Sequence, residues 1–203
     1  LLEEQTKKTK FQLKREATYR QLLDAGMKCF AEKGFASTTI ADIVARTGHT
    51  NGAFYVHFRT KEQLFLQVLD YQLEITEGWS DVPKAYSPTT TTLEEVIVIT
   101  LTNLGNKLMG VENWIVALAD FYQQTKRDPD ILSAFRAKYG QWIAGIENLV
   151  RNLQGQGWIE KERDSRLIAM QIIAFNEGYS VISALFGQAD HRVLVQGLVK
   201  LLR

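Results

Sequence analysis

The side chains best suited to chemistry on a partner molecule are concentrated between Thr38 and Lys61. Thr39, Thr50, Asn51, Gly52, Ala53, Tyr55, His57 and Lys61 bring hydroxyl, amide, phenol, imidazole and ammonium groups into one short stretch. These are hydrogen-bond donors and a point charge, the groups that hold phosphate oxygens and read base edges. Small residues at Asn51, Gly52 and Ala53 let a backbone approach base edges closely. Tyr55 and His57, further along, can reach phosphates. Thr39 offers a hydroxyl beside the open amides of a helix start, and Lys61 adds a cation. Asn51 has two readings: a bidentate contact with adenine or a contact with phosphate alone. In a competing reading, Tyr55 and His57 are packing residues of a small helical bundle.

Other chemistries find no support in the residue pattern. His49, His57 and His191 form no His-Glu-x-x-His, and the single cysteine, Cys29, makes neither a zinc site nor a disulfide. Gly178-Tyr179-Ser180 begins like a nucleophile elbow, but Ile182 stands where its second glycine must be. There is no glycine-rich phosphate loop ending in Lys-Ser or Lys-Thr. Glu94-Glu95 and Asp128/Asp130 fall at helix starts, where the helix dipole accounts for them. No catalytic residue, metal or cofactor is expected, and Cys29, on an apolar stripe, reads as a buried inert thiol.

The elements that must position these groups read as helices throughout. Glu16–Lys33 repeats apolar residues at three- and four-residue steps, with Gly34 as its expected stop. Thr39-x-x-Asp42 resembles a capping box and opens a helix that buries Ile40, Ile43 and Val44. Thr50 caps a short third helix ending near Phe58, with Phe54 and Phe58 as its anchors, and Thr60 opens a fourth through Leu73. The second and third, separated by a turn at Gly48, have the spacing of a helix-turn-helix. A polar stretch, Ser80–Thr92, leads to longer helices over Leu93–Met109, Asn113–Lys126, Pro129–Leu153, Asp164–Phe186 and Asp190–Arg203. The run Val96–Leu101, apolar on all sides, is expected to be deeply buried. The fold class is therefore all-α.

With 203 residues, 45% hydrophobic and 23% charged, the chain has ordinary globular composition. Its longest uncharged run, Gly178–Ala189, is too short to cross a bilayer, so a membrane partner is not expected. The net charge of +1 is unevenly placed: Lys7, Lys8, Lys10, Lys14, Arg15 and Arg20 face Glu16 alone within residues 7–20. A basic arm on a near-neutral body points to nucleic acid or an anionic surface.

Residue identities add more than spacing does. Gly34-Phe35-Ala36-Ser37-Thr38-Thr39-Ile40-Ala41-Asp42-Ile43-Val44, followed by Asn51-Gly52-Ala53-Phe54-Tyr55-Val56-His57-Phe58-Arg59-Thr60-Lys61-Glu62-Gln63-Leu64-Phe65, closely resembles the TetR family of transcriptional regulators. The match spans about Glu16–Glu74. The resemblance implies a basic arm (1–15), a helix-turn-helix DNA-binding head (16–75) and a helical ligand-binding and dimerisation body (76–203). The chain is then expected to be a cytoplasmic homodimeric repressor, released from an inverted-repeat operator in double-stranded DNA by a small-molecule effector. The alternative is a dimeric helical binding protein or enzyme that kept a decayed DNA head. Effector contacts are expected among Asn103, Trp114, Phe121, Tyr122, Tyr139, Trp142 and Asn176, and the fourth helix is the expected lever between head and body. Ala41, His49, Asn51 and Val56 depart from the usual family residues, which leaves docking intact but the operator sequence open.

Overall fold

The computed structural model describes residues 9–108, 114–187 and 190–203, and among them the chain is helical with no strand. The helices are α1 (Lys10–Ser37), α2 (Ile40–Thr47), α3 (Asn51–His57), α4 (Lys61–Ile75), α5 (Leu93–Lys107), α6 (Trp114–Thr125), α7 (Pro129–Gln156), α8 (Ser165–Phe186) and α9 (His191–Leu202). A short 3-10 helix, Trp79–Ala85, begins one residue before the expected linker and runs into it. Met109 and Asn113, expected as helix ends, lie outside the described residues.

Helix α1 departs from its expected bounds at its start. Thr9 accepts from the Gln12 amide while the Gln12 side chain bonds back to the Thr9 amide, so the helix starts at Lys10 and takes in part of the basic arm. Gly34 interrupts the regular helix, as expected. At φ 77° and ψ 168° this glycine bends the chain, and a further turn runs on to Ser37. A side chain there would also collide with the Asp120 carboxylate of α6.

Two main apolar cores divide the molecule. The first joins α1–α4 around Phe30, Phe35, Phe54, Phe58, Leu64 and Phe65, and also takes in Ala117, Leu118 and Phe121 of α6. Phe65 stacks on Phe121 at 4.2 Å, and Phe35 meets Phe121 edge-on at 4.9 Å. The second core brings α5, α7, α8 and α9 together around Val96, Val150, Leu153, Ile168 and Leu198. A smaller cluster of Trp79, Ile146, Ala169 and Ile173 lies beside it.

Two expectations about the body need correcting. Val98, in the run expected to be deeply buried, is 43% exposed, because α5 presents only one side to the 3-10 helix and α9. Counting uncharged residues also understated α8. Ser165–Phe186 is long and apolar enough to cross a membrane, since a spanning segment tolerates isolated charges such as Arg166 and Glu177. Only 17% of its most apolar window is buried.

Candidate nucleic-acid interface and body cavity

The helix-turn-helix is held by caps and anchors. Thr39 accepts from the Asp42 amide at 3.1 Å, and its own amide and hydroxyl donate to Asp42 Oδ2 at 2.9 and 2.6 Å. Lys33, 2.6 Å from the other carboxylate oxygen, holds Asp42 well below the usual carboxylate range, helped by the Thr39 bonds. The Thr39 hydroxyl is thus committed to its own cap, and what α2 offers outward is the amides of its first turn. Gly48, at φ 70°, makes the left-handed turn between the helices. Thr50 accepts from the Ala53 amide and starts α3.

Helix α3 sorts its residues by face. Phe54 and Phe58 are buried in the first core, while Asn51, Gly52, Tyr55 and Val56 are exposed and Ala53 is half-buried. Tyr55 stands 58% exposed, with its ring edge-on to Phe54 at 5.5 Å. His57 is half-buried against Tyr19, and burial, with Arg15 and His49 nearby, pushes its imidazole below its ordinary value. Near neutral pH it is therefore an uncharged hydrogen-bonding group. Lys10, Lys14 and Arg15 are exposed on the first turns of α1.

Lys61 does not project outward. Its ammonium donates to the carbonyls of Phe35 at 2.7 Å and Thr38 at 2.8 Å, reaches Ala36 at 3.4 Å, and lies 4.3 Å from the centre of the Phe35 ring. It clamps the α1–α2 corner, and the sequence pattern alone could not distinguish this from a surface charge. Burial pushes its pKa down.

The body contains two adjoining cavities. The first, with an empty volume of about 790 Å³ including its mouth, is lined mainly by apolar residues of α5, α7, α8 and α9, together with Trp79. The second, about 920 Å³ on the same measure, is bounded by α4 through Leu69, Gln72 and Leu73, and by Trp114 and Lys138. Leu104, Tyr139, Trp142, Asn176 and Glu177 line both. Tyr139 donates its hydroxyl to Glu177 Oε1, and burial pushes the Glu177 carboxyl up from its ordinary value. Trp79 stacks on Trp142 at 5.6 Å.

Of the expected effector contacts, Trp114, Tyr139, Trp142 and Asn176 line these cavities. The other three face elsewhere. Phe121 is fully buried in the aromatic stack with Phe35 and Phe65, Tyr122 is 41% exposed, and Asn103 is exposed on α5. Helical spacing identifies a side's angle on its own helix but not the neighbour that the side meets. Trp79, Gln72 and Lys138 were missed. The one sequence signal for Trp79 was a lone tryptophan at the edge of a polar linker.

The fold and the exposed α3 surface define a class: a DNA-binding transcriptional regulator with a helix-turn-helix head on a helical body. The family described as "Bacterial regulatory proteins, tetR family" matches residues 22–68. The HTH-type transcriptional regulator YwcC of Bacillus subtilis is 26% identical over 185 residues, covering 90% of this chain and 83% of that protein. The HTH-type transcriptional regulator YerO of Bacillus subtilis is 42% identical over 53 residues, which make up 26% of this chain and 18% of that protein. Among solved structures, regulatory protein TetR from Rhodobacter sphaeroides superposes with a TM-score of 0.71 at 16% identity, over 92% of this chain and 99% of that one. Transcriptional regulator FadR from Bacillus subtilis, in complex with stearoyl-CoA, superposes at 0.67 with 18% identity, over 91% and 97%. Residues 22–68 thus match the TetR family of bacterial regulatory proteins, and the chain as a whole shares the fold of solved TetR-family regulators.

Proposed function

We propose that this chain is a cytoplasmic homodimeric repressor that binds an inverted repeat in double-stranded DNA and leaves it when a small molecule fills the body cavities. The division we propose is arm 1–15, head 16–75 and body 76–203. The observation that carries the reading is the α3 surface. Phe54 and Phe58 anchor the helix from inside, while Asn51, Gly52 and Tyr55 stand in solvent beside the capped start of α2. That side can enter a major groove, with Thr50, Asn51, Gly52 and Ala53 near base edges and Tyr55 and His57 near phosphates. Thr39 contributes through the helix start that it shapes, and Lys61 through the corner that it holds. Exposed Lys10, Lys14 and Arg15 add positive charge beside the duplex.

Two features support the rest. Leu167, Met170, Ile182, Leu185 and Phe186 are exposed on α8, with Val193 on α9, an apolar surface that a second copy would cover. Trp114, Tyr139, Trp142 and Asn176 wall cavities that reach α4, so an effector there touches a helix of the head. A ligand shifts the two arrangements only by its difference in affinity for them. FadR, similar in fold, is seen with stearoyl-CoA bound.

The test is selection of random duplexes by the purified protein near physiological salt, followed by sequencing of the bound pool. Enrichment of an inverted repeat, with affinity falling steeply as salt rises, is expected. A folded protein that enriches no sequence overturns the reading.

A further inference from the structure

We propose that the body cavities select a hydrophobic organic cation, seated between the Trp79–Trp142 pair and the Glu177 carboxylate. This deepens the effector reading above and rests on it. The argument begins with the charges on the cavity walls. Among the described residues, two side chains there carry formal charge, Lys138 and Glu177. Lys138 is neutralised, because its ammonium donates to both carboxylate oxygens of Asp70 at 2.6 and 2.5 Å. Glu177 accepts a hydrogen bond from the uncharged Tyr139 and has no ion-pair partner among the described residues.

A half-buried carboxylate with no cation is poorly solvated, and a positive ligand group beside it restores the missing interaction. An anion would add a second like charge, and a neutral molecule would leave the carboxylate as it was. The surrounding wall favours the same sign. Trp79 and Trp142 stack at an angle of 26°, and both line the cavity that Glu177 reaches. Indole faces attract cations more than they attract neutral carbon of the same shape. The remaining lining, Val96, Ile97, Leu101 and Ile173 among it, is hydrocarbon, which fits an apolar body around the charge.

The experiment titrates the full-length protein with three probes of similar size and follows tryptophan fluorescence and calorimetric heat. The probes are benzyltrimethylammonium, its neutral carbon analogue neopentylbenzene, and the anion 4-tert-butylbenzoate. The expected result is that the cation binds at least about tenfold tighter than the neutral analogue, with the anion weakest. Glu177→Gln should bring cation and neutral analogue within about threefold of each other while leaving neutral binding unchanged. Glu177→Asp should keep the cation preference; a thermal melt of each variant confirms folding. Equal binding of cation and neutral probe, preference for the anion, or a preference that survives Glu177→Gln overturns the proposal while leaving an effector cavity in place. If none of the three binds the folded wild type, the effector reading falls with it.

Discussion

Neighbouring residues on α3 divide the work between binding and folding. Tyr55 sits in solvent on the outer side of the helix, and Phe58, 1% exposed, closes the core from the inner side. Tyr55→Ala is expected to weaken duplex binding at least about tenfold with little change in melting temperature, as removal of a phosphate or base contact does. Phe58→Ala is expected to destabilise the head by about 3–5 kcal/mol, because it empties a packed site. If Tyr55→Ala melts as early as Phe58→Ala, Tyr55 is a packing residue and the interface is misplaced. Asp42 gives a second residue-scale outcome through pH. Lys33 and Thr39 depress its carboxyl, so the stability it contributes is present above the usual carboxylate range and fades as pH falls through and below it. Thermal melts from about pH 6 to about pH 2 should fall more steeply for the wild type than for Asp42→Asn. Parallel curves would show that the cap holds without the charge.

Helices meet at places that residue chemistry does not mark. The bend at Gly34 turns the end of α1 against α6, where the Ala36 amide donates to Asp120 at 3.5 Å and Phe35 packs on Phe121. The backbone there has a conformation open almost only to glycine, and a methyl group would also strike Asp120. Gly34→Ala is therefore expected to lower stability by about 1–3 kcal/mol in chemical denaturation. Adding Asp120→Ala should recover only the part due to the clash. Full recovery would mean that backbone strain at Gly34 is negligible. The same seam gives α6 a route to the head beside that of α4, whose Leu69, Gln72 and Leu73 border the second cavity. An effector in the body thus lies next to helices packed into the first core.

At the scale of the whole molecule, α8 leaves several large apolar side chains uncovered by its own chain. Leu185 and Phe186 are 72% and 73% exposed, on a helix long and apolar enough to cross a membrane. In the proposed dimer this surface is covered by its twin, and the two heads are set at a fixed separation. Leu185→Glu combined with Phe186→Glu is expected to yield a folded monomer in sedimentation velocity and to abolish enrichment of inverted repeats. A double variant that still sediments as a dimer would place the interface elsewhere.

The caps at Thr39 and Thr50, the anchors Phe54 and Phe58 and the left-handed turn at Gly48 were legible without coordinates. Each depends on neighbours within a few residues, and local chain chemistry determines such features. By the same logic the sequence by itself determined the all-helical class, the helix-turn-helix and, through its residue identities, the likeness of residues 22–68 to the TetR family. Long-range packing decided the rest. Lys61 turned inward because three carbonyls at the end of α1 were left open to it. Phe121 became part of the head core and Tyr122, its neighbour, faced solvent, because this stretch of α6 lies against α1, while Trp114, Ile115 and Leu118 of the same helix border the second cavity. Trp79 reached the cavity from the linker by stacking on Trp142 of α7. Helical periodicity records which residues share a side, but the partner that covers that side is chosen by the competition of all the helices for buried area, and only the tertiary structure resolves it.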